Sequence, residues 1–148
     1  MSDDAPKNPV RQPRAHTIDC SESGPVAVED KPLPAKVAET PVEQKSPAQW
    51  AYERLILYIK NFEEQLDNEH EVAMGFAGGD AGVLRIEGIG YFDPDIITYY
   101  GSDGEGTKTQ LVQHVSQLSV MLRALPKQIE SAEPNRIGFR LAAQLEEE

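Results

Sequence analysis

The stretch Ile96–Leu122, IITYYGSDGEGTKTQLVQHVSQLSVML, holds two tyrosines, an acidic glycine-rich tip, a histidine and a Leu/Met run. Its periodicity reads as a hairpin that runs into a helix. Ile96 to Gly101 is β-branched and aromatic, the composition of a strand. Ser102-Asp103-Gly104-Glu105-Gly106 supplies the Asp-Gly chemistry of a tight turn. Thr107 to His114 then returns as the next strand. At Ser116 the period changes: Leu118, Met121, Leu122 and Leu125 stand at i, i+3, i+4 and i+7. Ser116 would cap this predicted helix and Pro126 would stop it.

Upstream, two further strands precede the hairpin. Glu71–Phe76 and Val83–Phe92 are joined by a glycine-rich loop over 77–82. In the second run Leu84, Ile86 and Phe92 are expected on one side, with Gly88 and Gly90 between them. Arg85, Glu87, Ile89 and Tyr91 are expected on the other. Before these strands, SPAQWAYERLILYIKNFEEQL carries a strong helix signal. Ser46 is a good N-cap, Pro47 suits the first helical position, and Gln49 completes a capping box. Ala51, Leu55, Ile59, Phe62 and Leu66 mark one apolar face of a helix over 47–67. After Pro134, Ile137, Leu141 and Leu145 predict a closing helix. The order is an N-terminal helix, a four-stranded antiparallel meander and two C-terminal helices: a two-layer α+β domain over 46–148.

Residues 1–45 have a different composition. All ten aromatic residues lie between Trp50 and Phe139, whereas seven of the eleven prolines lie in 1–45. A Pro/Ala/Glu-rich segment with few large apolar side chains cannot offset the entropy of ordering it, so a disordered tail is expected there. The formal net charge is −11. Residues 1–45 carry 8 acidic and 6 basic residues, hence −2, and residues 46–148 carry 17 and 8, hence −9. Such a domain repels phosphate backbones and anionic membranes, so neither nucleic acid nor membrane is an expected partner. Cys20 is the one cysteine, which leaves no disulfide framework within a chain. MSDDAPKNPV lacks the apolar core of a signal peptide, and the run Leu55–Ile59 is too short to span a bilayer. The expected location is cytoplasmic.

The blocks PAQWAYERLILYIKNFEEQLD, GYFDPDIITYYGSDGEG, TQLVQHVSQLSVMLRALPK and PNRIGFRLAAQLEE resemble a bacterial family catalogued as a domain of unknown function. The resemblance spans roughly 46–148. It implies one compact domain in a bacterial cytoplasmic protein, and it implies no activity, ligand or catalytic residue.

Candidate chemistry is sparse. His114 has the ionisation of a general base or metal ligand, and Ser116 stands two residues on, but nothing like a nucleophile elbow surrounds them. The competing reading is a strand-end histidine bonded to backbone or to the opposing strand. Asp103 and Glu105 offer two of the six to eight oxygens that calcium takes, and Asp93-Pro94-Asp95 lacks a phosphate-cradling loop to share magnesium. GIGYFD has Asp where a dinucleotide fingerprint needs its third glycine. His16, His70 and His114 share no zinc spacing. No cofactor and no metal is expected. Tyr91, Tyr99 and Tyr100 are candidate partner contacts or cross-strand packing. The leading reading is a non-enzymatic protein-interaction or oligomerisation module. Its partner would be another protein or a second copy docked on a strand edge or on an outer face bearing Tyr91. The alternative is a small-molecule-binding domain or minor enzyme. Its pocket would lie between sheet and first helix, with His114, Tyr99, Asp95 and Arg136 as polar contacts.

Overall fold

The apolar stripe of the first long helix packs on one face of a five-stranded antiparallel sheet. The computed structural model describes residues 14–21, 27–76, 82–130 and 132–147. In chain order the elements are α1 (Ala35–Glu39), α2 (Pro47–Glu63), β1 (His70–Phe76), β2 (Val83–Phe92), β3 (Ile96–Ser102), β4 (Lys108–His114), β5 (Val120–Pro126) and α3 (Ile137–Glu147). The sheet order is β4-β3-β2-β1-β5. The fold is therefore α+β.

α2 starts as its sequence dictates. Ser46 accepts the N–H of Gln49 at 3.0 Å and donates to Asp93, and the N–H of Ala48 reaches the carbonyl of Pro94. These contacts tie the helix start to the β2–β3 turn, where the Asp93–Pro94 peptide is cis. The Gln49 side chain does not close a capping box; it donates to Glu53. The helix ends at Glu63 rather than 67, because Asp67 takes the N–H of Glu69 on its side chain and turns the chain toward β1. Ile56 and Ile59 of α2, Met74 of β1, Ile97 and Tyr99 of β3, and Ala142 and Leu145 of α3 meet in one core.

The predicted helix after His114 is the main correction. Only Val115–Gln117 is helical, as a 3₁₀ turn, and Val120–Pro126 forms β5. This strand pairs with β1 from His70↔Pro126 to Phe76↔Val120. The spacing of Leu118, Met121, Leu122 and Leu125 matches a helix and divides between the two faces of a strand, but pairing with β1 overrides that local signal. Val120 and Leu122 turn to the core, while Met121 is exposed on the other face. Among the described residues, α3 is thus the single α-helix after the meander.

A bulge is the second correction. Ile86 pairs with Gly101, but Gly88, not Glu87, pairs with Tyr100. The extra residue reverses the alternation beyond it. Leu84, Ile86 and Ile89 are buried, Tyr91 follows Ile89 to the core side, and Phe92 faces outward. Gly101 makes the kink possible: a Cβ there would lie 2.1 Å from the carbonyl oxygen of Arg85.

Residues 27–45 differ from the expected disorder. Val28 and Val37 are buried, and 3₁₀ turns occupy Val28–Asp30 and Val42–Gln44 around α1. A buried lysine anchors the segment. Lys45 Nζ donates to the Glu53 carboxylate at 2.5 Å and to the carbonyl of Val37 at 2.6 Å. An ion pair taken out of water needs such extra hydrogen bonds to recover its desolvation cost. Residues 1–13 and 22–26, and 77–81 of the expected loop, lie outside the described residues.

Candidate functional site

Both α2 and α3 cover the same side of the sheet, so β2, β3 and β4 present their second side to solvent. Register lays out this outer face in three rows. Phe92, Ile96 and His114 form one row, Gly90, Thr98 and Val112 the next, and Gly88, Tyr100 and Gln110 the third. Phe92 is 76% exposed, Val112 57% and Tyr100 45%. The Tyr100 ring lies beside both glycines: a Cβ on Gly88 would stand 3.6 Å from it, and one on Gly90 3.9 Å, each an ordinary contact. The result is an exposed apolar surface with Phe92 at one corner and Tyr100 in the middle of the opposite row.

His114 sits at the rim of that surface, where β4 gives way to the 3₁₀ turn. Nδ1 of its ring is 3.0 Å from the backbone N–H of Ser116 and 2.8 Å from Ser116 Oγ. A backbone N–H only donates, so Nδ1 is the acceptor and Nε2 carries the proton. Nε2 then donates to Asp95 Oδ2 at 2.9 Å. The β3–β4 register makes this contact possible by setting Ile96, next to Asp95, opposite His114. The His114 N–H donates to Gln117 Oε1, completing a capping box.

Asp95, His114 and Ser116 therefore form a chain of hydrogen bonds with the composition of a nucleophilic relay. Its setting is that of a cap. His114 is 46% exposed and Asp95 37%, so water screens the charges that a desolvated site would strengthen. The strand-end reading of His114, bonded to the opposing strand's approach and to local backbone, describes what the ring does.

The remaining candidate residues disperse. Tyr99 is fully buried and donates to Gln113 Oε1 at 2.9 Å; burial pushes its phenol well above the ordinary range. Tyr91 is on the helix-covered side, with its ring 4.9 Å from that of Tyr52, so the outer face bears Phe92 and Tyr100 instead. Arg136 donates to the carbonyls of His70 and Asp67 and fastens the approach to α3 onto the α2–β1 connection. The space between α2 and the sheet is filled by Ile56, Ile59, Ile97 and Tyr99. His114 lies on the opposite side of the sheet from that interface. Sequence reasoning put Phe92 on the core side, because the bulge at Glu87 leaves no local signal beyond two nearby glycines, and it did not single out Val112.

A separate open hollow of about 710 Å³ lies between residues 14–16, residues 29–33 and α2. Along its α2 wall the Arg54 guanidinium lies over Trp50 at 5.9 Å and over Tyr58 at 5.0 Å. The Tyr58 hydroxyl donates to Glu29, and that bond lowers the Glu29 carboxyl below its ordinary range.

Residues 42–140 match DUF6173, a family of unknown function. The chain belongs to this family. No curated protein matches the chain, and no solved structure does. The match spans α2, all five strands and the start of α3, and so takes in the outer face and the His114 seam of the DUF6173 domain. Among the described residues, no helix is long and apolar enough to cross a membrane.

Proposed function

We propose that the domain is a non-enzymatic protein-interaction or oligomerisation module whose contact surface is the outer face of β2–β4. The observation that carries this is the exposure of Phe92, Tyr100 and Val112 on one side of a sheet whose other side is covered by two helices. Contiguous exposed apolar surface rimmed by polar residues is the usual mark of a contact site. The three rows contain no carboxylate, although the chain carries a formal −11. Docking there buries apolar surface without stripping water from acids.

The test is sedimentation of the full chain over a concentration series, with partner capture from the native cell in parallel. Wild type self-associates or captures a partner, and Phe92→Asp with Val112→Asp removes that complex. A strict monomer that captures nothing would overturn the proposal.

The hollow beside α2 supports a second reading, a small-molecule site for a planar ligand stacked on the Trp50–Arg54–Tyr58 wall. Its volume is within the range of about 300–1,000 Å³ common for ligand sites. Trp50 is the only tryptophan, so its fluorescence reports occupancy directly. A screen of planar anions and cations that leaves the emission unchanged would remove this reading.

A further inference from the structure

We infer that β4 is a pairing edge, and that its partner is the β4 strand of a second copy, antiparallel about a two-fold axis through Leu111. This rests on the interaction-module reading but uses the strand's backbone instead of the sheet face.

β4 pairs with β3 on one side, and among the described residues no strand pairs with it on the other. Two hydrogen bonds fix which of its backbone groups face out. The N–H of Val115 reaches back to the carbonyl of Asp95 beside β3, while the N–H of His114 goes to the side chain of Gln117. Alternation along the strand then turns the N–H and C=O groups of Lys108, Gln110 and Val112 outward. Such a row is a template for another strand.

The opposite edge is blunted. Lys127 donates toward β1 through the carbonyl of Glu69, so the position before it, Pro126, faces outward, and proline has no N–H to offer there. β4 has no proline, no bulge and no acidic residue over Lys108–His114. Its own exit is closed by Gln117, which occupies the His114 N–H and ends the ladder.

Self-pairing about Leu111 is the register that overlaps the whole strand. It sets Gln110 against Val112 of the second copy, so that outward-facing groups meet outward-facing groups. Leu111, half-buried at the margin of the core, meets Leu111 of the second copy on the helix side. Val112 and Tyr100 stay on the outer face, which becomes continuous across the two copies. Each chain carries a formal −11, so the two bodies repel and added salt tightens the dimer. A basic partner on the same edge would be weakened by salt.

The test uses the full chain with Cys20→Ser as background. Across a non-hydrogen-bonded antiparallel pair the Cα atoms are about 4.5 Å apart, within reach of a disulfide. Leu111→Cys is expected to oxidise to a covalent dimer many-fold faster than Thr109→Cys, which the register sets opposite Gln113 of the second copy. Gln110→Pro removes an outward N–H, leaves the β3 ladder intact, and is expected to raise the dimer dissociation constant at least tenfold with an unchanged circular dichroism spectrum. Equal cross-linking at positions 109 and 111 would overturn the inference, as would a dissociation constant that weakens with salt. If Gln110→Pro associates like wild type while Phe92→Asp with Val112→Asp does not, the edge is wrong and the module reading stands. A wild type that stays monomeric in every condition and captures nothing overturns both.

Discussion

The buried carboxylate of Glu63 accepts the backbone N–H of Gly138 at 2.9 Å and that of Phe139 at 3.1 Å, so α2 caps the first turn of α3. The contact joins residues that are 75 positions apart in sequence. It places a negative group where the helix dipole and the unpaired N–H groups favour one.

That carboxylate makes stability depend on pH. Burial raises its pKa above the ordinary 4.5, against the lowering effect of the two N–H donors. The folded chain therefore holds the Glu63 proton more tightly than the unfolded chain does. The stability this group contributes is full below 4.5 and is lost as pH rises through the folded value. Denaturant unfolding from about pH 4.5 to neutrality should show this decline in wild type. Glu63→Gln should flatten it, and a slope identical in both proteins would contradict the assignment.

Gly138 is the other half of the cap. A Cβ there would lie 2.8 Å from both Glu63 Oε1 and the backbone nitrogen of Lys60. Gly138→Ala should cost about 1–3 kcal/mol, the usual range for overpacking, read from urea unfolding. Gly101→Ala should cost at least as much, because the clash is with the Arg85 backbone at the bulge, which has no rotamer to yield.

Lys45 and Glu53 hold the N-terminal segment on α2, with side chains 1% and 8% exposed. Lys45→Met leaves Glu53 buried without its partner and should destabilise by about 3–5 kcal/mol. Lys45→Met combined with Glu53→Leu should recover much of that loss. Chemical denaturation of the three variants and wild type closes the cycle, and additive losses would show that the two groups do not act as a pair.

The outer face should behave oppositely. Phe92→Ser and Val112→Thr remove exposed side chains that face away from the core. Each should change folding stability by no more than about 0.5 kcal/mol, the range usual at surfaces. Thermal unfolding at a concentration too low for association checks this. A loss as large as that of a core truncation would place these side chains in the interior.

How far the fold could be read from the chain follows from the range of the forces involved. α2 was legible because its apolar spacing, Ser46 and Pro47 are local signals. The four-strand meander was legible because turn chemistry separates its strands, and the strand bounds agree with expectation to within about one residue. β5 was not, since its apolar spacing matches a helix and its partner β1 lies some fifty residues earlier. Val28 and Val37 were misjudged for the same reason: a distant helix surface buries them. Within the site, Asp95 and His114 were both named, and one hairpin register brings them together. Tyr91 and Phe92 exchanged faces because the single extra residue at Glu87 reverses every position after it.

The sharpest test of pairing through β4 is amide exchange followed by NMR at low and high protein concentration. The N–H groups of Gln110 and Val112, which face away from β3, are expected to exchange more slowly as concentration rises. The core amides of β1 should be unaffected. Rates at Gln110 and Val112 that stay fast and independent of concentration, in a chain that also shows no partner-induced protection on β2–β4, would contradict it.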